Sequence, residues 1–413
     1  MAYLGAMFIA GNDSADGKFR SGISFSLSKK SPVSYTHEIA TGSWEVEFLK
    51  GYSEVIARTL LMMTLEELQA GGFEAIQLAL DNLSVKGIFS TYLNGPLTTS
   101  IGVYCVDSRS VAYVHSLLDF PMSVSAKMQL IDASGKEIKS PLPPEPIWNE
   151  SFRYYRLSQS SSDLFEAYRN LFLAFEALLN TICPKKDKKD SEGEVAWLRR
   201  SLTTVNSRSS LANLTPSGSG DPVEYIVISQ YKNVRCKLQH AKFPAATLPH
   251  SHLNPMMVNQ AYGELIRIWR QIAGLYLHVP TGGGVITYAG FELMIGNVFR
   301  EGTTIVYTSD NSQPHKEEAE VSLQSFPVHE FVTSNYMGQV NPGVLRLIAH
   351  EDTASLSNHY TKPIHRVYSR IQGAPFGIEY IENGLLVSGV DSWECIQDFR
   401  LINASQPNIQ FKT

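Results

Sequence analysis

The stretch Leu164-Phe-Glu-Ala-Tyr-Arg-Asn-Leu-Phe-Leu-Ala-Phe-Glu-Ala-Leu-Leu179 decides the reading of the fold. Its apolar residues Leu164, Tyr168, Leu171, Phe172, Phe175 and Leu178 recur at helical intervals, which places them on one face of an α-helix. The surrounding run 148–181 contains neither glycine nor proline, and Ser160, Ser161 and Ser162 offer caps for an internal restart. Working outward, further helices are expected over 192–205, 223–242 and 255–276, with Pro255 suited to a first helical turn. A Ser/Gly-rich connector over 206–220 separates two of them and carries no long apolar run. The spacing therefore predicts a four-helix bundle within residues 148–280.

On either side the pattern changes. Ser140-Pro-Leu-Pro-Pro-Glu-Pro146 holds four prolines, which disfavour helix and read as a linker. Before it, 2–10, 22–27, 33–39, 98–104, 110–115 and 123–131 read as strands punctuated by Gly, Asn, Asp and Ser. Two helices are expected there: one over 44–68, from the spacing of Phe48, Tyr52, Val55, Ile56, Leu60, Met63 and Leu68, and one over 73–83. After Gly282-Gly-Gly284, strands are expected over 285–288, 304–307, 319–323, 344–348, 367–371, 378–381 and 385–388. The expected fold class is α+β, with a central bundle between a β-rich α/β region (1–147) and a C-terminal β-rich region (281–413).

The formal net charge of −5 argues against a protein coated all over for nucleic acid. It is unevenly spread. Residues 148–280 hold 16 Lys+Arg against 11 Asp+Glu, net +5, which leaves 35 − 16 = 19 basic and 40 − 11 = 29 acidic residues, net −10, elsewhere. The helical third is thus the place for a polyanion. Cys105, Cys183, Cys236 and Cys395 lie far apart without C-x-x-C spacing, which fits free thiols in a reducing compartment. The N-terminus has no basic n-region and reads as a first strand, and no window holds 18 uninterrupted apolar residues, so no membrane span is expected. A cytoplasmic protein is the expectation.

The chemistry concentrates in Tyr231-Lys-Asn-Val-Arg-Cys-Lys-Leu-Gln-His-Ala-Lys242. Val227, Tyr231, Val234 and Leu238 form a packing stripe, and Arg235 and His240 lie outside it, roughly 140° apart at about 100° per residue. Histidine exchanges a proton near neutral pH, and arginine holds a phosphate through two donors. Together they are the minimum for cleaving RNA without a metal: one group activates the ribose 2′-hydroxyl, and cationic donors stabilise the developing charge. The bland reading of the same residues is a solvated Arg and a His on the last carbonyls of a helix.

This R-x4-H segment on a late helix, preceded by Tyr168-Arg-Asn-Leu-Phe-Leu-Ala-Phe-Glu-Ala-Leu-Leu179, resembles ribonucleases of the HEPN superfamily over about a third of the chain. The resemblance implies a helical homodimer with two Arg/His pairs facing one cleft, and metal-independent endoribonuclease action on single-stranded RNA, as in toxins or anti-phage defence effectors. One position departs from it: Cys236 follows the Arg, where active members carry Asn, Asp or His. The whole chain also looks faintly like bacterial methylamine-utilisation accessory proteins. Glu176 and Lys237 are candidate supporting residues, Glu176 because a carboxylate in an apolar run needs a partner and Arg235 is one candidate. Lys242, Lys185, Lys186, Arg199 and Arg200 are candidate RNA contacts. His250 and His252 have only a superficial metal spacing, and no metal or cofactor motif is found. The alternative is a non-catalytic dimeric interaction or ligand-sensing protein.

Overall fold

The computed structural model describes residues 1–11, 19–39, 43–94, 99–122, 130–138, 144–161, 163–186, 192–239, 249, 254–280, 286–312, 327–353 and 362–402. The chain divides into two compact units: residues 1–122 together with 286–402, and residues 123–285. Membership thus alternates along the chain, with the second unit inserted into the first.

The first unit opens with β1 (Ala2–Leu4), β2 (Met7–Ala10), β3 (Ser21–Ser26), β4 (Tyr35–Glu38), β5 (Glu45–Phe48) and β6 (Glu54–Thr59), then α1 (Leu65–Val85), β7 (Ser100–Val106) and β8 (Arg109–Pro121). The inserted unit carries a short hairpin of β9 (Leu130–Ile131) and β10 (Glu137–Ile138). It continues with α2 (Ser151–Ser160), α3 (Leu164–Ile182), α4 (Glu194–Arg208), α5 (Pro222–Ile226), a π-helical stretch (Val227–Arg235), α6 (Cys236–Gln239) and α7 (Asn254–Leu277). The first unit then resumes with α8 (Tyr288–Arg300), β11 (Thr303–Thr308), β12 (Val328–Glu330), β13 (Thr333–Asn341) and β14 (Val344–Asp352). It closes with β15 (Ile364–Ile371), β16 (Ala374–Val387) and β17 (Ser392–Ile402).

Both large sheets mix strands from the two ends of the chain. The nine-stranded sheet runs β13-β14-β17-β8-β7-β3-β6-β5-β4 and the six-stranded sheet β12-β11-β15-β16-β1-β2. Neighbours are antiparallel except at β17 and β8, which run in parallel from Ser392 opposite Val111 to Ile402 opposite Pro121. Leu4, Ile305, Val367 and Leu385 of the smaller sheet share one buried cluster with Val114, Leu345, Trp393 and Phe399 of the larger, and with Phe291 and Phe299 of α8. The two sheets therefore pack face to face. The larger sheet buries its other face against α1 through Ile23, Phe25, Val55, Phe73 and Ile76. Helix α1 starts at a capping box, in which Thr64 accepts from the Glu67 amide and Glu67 accepts from the Thr64 amide. It lies so close to the sheet that a Cβ on Gly72 would sit 2.2 Å from Ile23 Cγ2. That close approach accounts for a glycine pair inside a helix, where each costs about 1 kcal/mol relative to alanine.

In the inserted unit, ten residues of α3 are buried, and they pack with Trp197 and Leu202 of α4, Val227 and Val234 of the π stretch, and Tyr262, Leu265 and Trp269 of α7. The Trp269 indole donates to Ala174 O at 3.2 Å and stacks on Tyr155 at 4.2 Å. The break between α2 and α3 comes at the predicted serines, but the cap is Asp163, which accepts from the Glu166 amide.

The expected fold class is corrected on two counts. No four-helix bundle flanked by two β-rich regions is present among the described residues. The inserted unit has six α-helical segments and a π-helical stretch, and the flanking regions are woven into common sheets. Elements differ too. The helix expected over 44–68 is instead β5, β6 and the start of α1. The apolar spacing mimicked a helix because β6 is buried on both faces, and Gly51, at φ +86°, turns the chain between the strands. Helix α8 replaces the strand expected at Tyr288: it starts at a Thr287 cap, whose side chain accepts from the Gly290 amide, and buries Phe291 and Phe299. The strand expected over 319–323 lies outside the described residues.

The weave has a measurable consequence. Residues 1–122 and 286–413, produced as separate chains, are expected to lack a cooperative thermal transition and to copurify when co-expressed. A cooperative melt from 286–413 alone would contradict this account.

Candidate functional site

The sequence picks out Arg235, and the local fold explains its setting. The segment that carries it does not wind as an α-helix. From Val227 to Arg235 the backbone is π-helical, and the Cys236 amide bonds back to Tyr231 O, five residues away. Long π stretches are rare, and single π turns are frequent at functional sites. This one is held from two sides. The Tyr168 hydroxyl of α3 donates to the Gln230 carbonyl at 2.8 Å, and the buried Gln230 amide donates to Glu264 of α7 at 3.2 Å. A side chain inserted into the backbone ladder is a recognised cause of such distortion. Within this stretch the Tyr231 ring, four residues before Arg235, lies beside it.

The Arg235 guanidinium lies over Tyr231 at 5.3 Å and Phe172 at 5.9 Å. Its Nε is buried and has no hydrogen-bond partner among the described residues. Nη2 is 3.8 Å from Glu176 Oε1, and both side chains are only 20% exposed. That separation is an ion pair without a hydrogen bond, and a water beside the two groups could accept from the guanidinium and donate to the carboxylate. Burial pushes the Glu176 carboxyl up to about 6, outweighing the pull of Arg235, with Glu194 raising it and Lys185 lowering it further. Burial, followed by the adjacent Cys236, also raises the Tyr231 hydroxyl. The structure thus brings together two residues chosen from the sequence, Arg235 and Glu176, and adds two aromatic rings that the sequence showed only as packing residues.

The other candidates are placed less centrally. Lys237 lies half-buried on α6. Lys185 pairs with Glu194, Arg199 with Glu224 at 2.7 Å, and Arg200 with Glu192 at 2.6 Å, while exposed Lys186 acts on Glu192. Carboxylates therefore offset three of the five basic residues expected to contact RNA. His240, Lys242, His250 and His252 lie outside the described residues. Arg169 of α3 donates to Leu238 O at 3.3 Å, tying α3 to α6, from which the chain continues to His240. A concavity of about 460 Å³ opens along α5 and the π stretch, lined by Asp221, Glu224, Tyr225 and Ser229 among others. It includes neither Arg235 nor Glu176, and its acidic lining suits no anion, so Arg235 remains the centre of the site.

A second polar constellation, in the sheet unit, was not foreseen. Asp398 of β17 accepts two hydrogen bonds from Arg346 of β14, each 2.7 Å, and meets His115 Nε2 of β8 at 3.0 Å. His115 and Asp398 are 4% and 3% exposed. Burial alone would raise the Asp398 carboxyl, but the Arg346 and His115 hydrogen bonds outweigh it and hold it below the usual range. Gln69 of α1 lies 3.4 Å from His115 Nδ1, which occupies the imidazole at both nitrogens. With no free position on the ring, we read this set as a buried clasp between strands. His115 and Asp398 stand 283 residues apart, and no sequence signal linked them.

No family model, curated protein or solved structure matches the chain, so both resemblances drawn from its sequence stand without support from comparison. Among the described residues, no group of three or more His, Cys, Asp or Glu is arranged to hold a metal ion, and no helix is long and apolar enough to cross a membrane.

The clasp can be tested directly. Asp398→Asn leaves Arg346 buried against a neutral partner and is expected to cost about 3–5 kcal/mol in urea unfolding at pH 7. Because the folded carboxyl is depressed, its contribution is present above the unfolded value, about 3.9, and is lost as pH falls through the lower folded value. The gap between variant and wild type should therefore narrow toward pH 3; a gap independent of pH would refute the ionised clasp.

Proposed function

We propose that the inserted helical unit is a ligand-binding module that takes an oxyanion, of the phosphate or sulfate type, at Arg235. The observation that carries this reading is a mostly buried guanidinium whose Nε has no partner among the described residues, with a carboxylate 3.8 Å away, too far for a hydrogen bond. A buried donor left without a partner calls for an explanation, and an acceptor supplied by a ligand is one. Arginine suits the task because its planar fork matches the oxygens of such a group. Tyr231 and Phe172 fix the plane of the fork, so little side-chain freedom is left to lose on binding.

A second reading builds on the first. His240 follows Arg235 by five residues, and the unit is the net-basic part of an acidic chain, which favours a phosphodiester of single-stranded RNA as the bound group. In that reading Arg235 holds the scissile phosphate, His240 exchanges the proton, and two copies of the unit would share one cleft. The pairing of Lys185, Arg199 and Arg200 with carboxylates weighs toward the first reading.

Both readings are open to measurement. At tenfold excess over Kd, a bound anion stabilises by about 1.4 kcal/mol. The Tm of a unit this size should then rise by about 3–6 °C, and Arg235→Gln should remove the rise. An equal rise in the variant would reflect general salt exclusion and end the proposal. RNA cleavage in the presence of EDTA, leaving a 2′,3′-cyclic phosphate and abolished by His240→Ala, would establish the second reading; uncleaved RNA would exclude it.

A further inference from the structure

The Arg235 site contains its own competitor for a ligand. Glu176 stands one helical turn beyond Phe172 on α3, its Oε1 facing Arg235 Nη2 at 3.8 Å, and an oxyanion seated on the guanidinium would share that space with it. Building on the oxyanion reading of Arg235, we infer that Glu176 gates the site by proton uptake: the protonated carboxyl admits a doubly charged oxyanion and donates to it, and the ionised carboxylate expels it.

The electrostatics follow from every element packed around the pair. On the π stretch and α6, the groups near Glu176 and Arg235 are Arg235 itself, Tyr231 and Cys236. From the end of α3 and the start of α4 come Lys185 and Glu194, which pair with each other and so largely cancel at Glu176. The remaining balance lies between the desolvation of Glu176 and the single positive charge of Arg235, and desolvation prevails, placing the carboxyl at about 6. An ionised carboxylate beside a dianion is a like-charge pair in a partly dry setting, which disfavours the bound state. The protonated form removes that repulsion and adds an O–H donor beside the guanidinium, on the same side of the site. Linkage then requires reciprocity: if the proton favours the anion, the anion favours the proton. Binding near pH 6.5 should therefore draw a proton from the buffer, and affinity should fall as pH rises through the titration of Glu176.

Sulfate is the suitable probe, since its charge is constant over the range in which phosphate itself titrates. Calorimetric titration of the full-length protein with sodium sulfate, at fixed ionic strength from pH 5 to 7.5, is expected to show binding weaken about tenfold across that range, which stays below the usual thiol value of about 8.5. Parallel titrations in two buffers of different ionisation enthalpy should report up to one proton taken up per sulfate bound near pH 6.5. Glu176→Gln, which keeps a neutral donor, should bind at all pH values as the wild type does at pH 5, and Glu176→Asp should restore a pH dependence. Sulfate binding that keeps its full pH slope in Glu176→Gln assigns the proton to another group, His240 foremost, and overturns the gate while leaving the site intact. Absence of sulfate binding in both proteins at every pH overturns the oxyanion reading itself, and the gate with it. The proton count is measured on wild type alone, so a variant that failed to fold would not leave the inference untested: binding with no proton uptake would overturn it.

Discussion

Eleven residues of β17 lie in parallel register with β8, and the sheet unit depends on that seam. A parallel pair cannot be closed by a tight turn, and here the connection between its strands contains the whole inserted unit together with α8, β11 and five further strands. On one side of the seam the sheet continues through β14 to β13, and on the other through β7 and β3 to β4. The smaller sheet repeats the device at β1 and β16. Each sheet is thus incomplete without both ends of the chain. Asp398 reinforces the seam by reaching across it to His115 while bonding Arg346 on the far neighbour, so one carboxylate bridges three adjacent strands. Such buried ionic contacts add little net stability against a well-packed apolar alternative, but breaking one partner is costly, which suits a role in fixing register.

What could be read beforehand follows from which elements carry their own signal. Helix α3 was legible because its buried residues keep a helical period over nineteen residues, and β3 and β11 were legible as short β-branched or aromatic runs between turn residues. Strand β6 was not, since a strand buried on both faces loses its alternation and can match a helical spacing by accident, and β5 alternates over only four residues. The merger of the flanking regions was invisible for a different reason: pairing partners such as Val114 and Cys395 are distant in sequence, and neither strand encodes the other's address. At the site, Arg235 and Glu176 were legible as a charge and a carboxylate needing a partner. Their geometry was not, because a winding of 100° per residue was assumed through a segment that is π-helical.

The π stretch connects these two observations. An α-helical 227–235 would satisfy its own carbonyls and leave the Tyr168 hydroxyl and the Gln230 side chain to find partners elsewhere in the core. In the observed winding the Tyr168 hydroxyl donates to the Gln230 carbonyl and the Gln230 amide to Glu264, next to the stretch on which Tyr231 and Arg235 lie side by side. Polar residues on three different helices thus anchor the stretch that carries the site. The same setting keeps water from the guanidinium, which strengthens each remaining electrostatic contact there.

The interleaved arrangement also sets an order of events during synthesis. Strand β8 leaves the ribosome with one edge unmade, and its parallel partner follows some 280 residues later. At ordinary elongation rates of about 5–20 residues per second, that interval lasts roughly 15 to 60 s. The inserted unit, whose described core draws on residues between 152 and 279, has these well before then. The nascent chain thus holds a finished helical body while an apolar strand, Val111 to Ser116, waits with open backbone groups. Such an edge is a template for pairing with a neighbouring chain on the same polysome. The protein's yield in a cell is therefore tied to how well that strand is shielded during the wait, a property of translation that the finished molecule does not display.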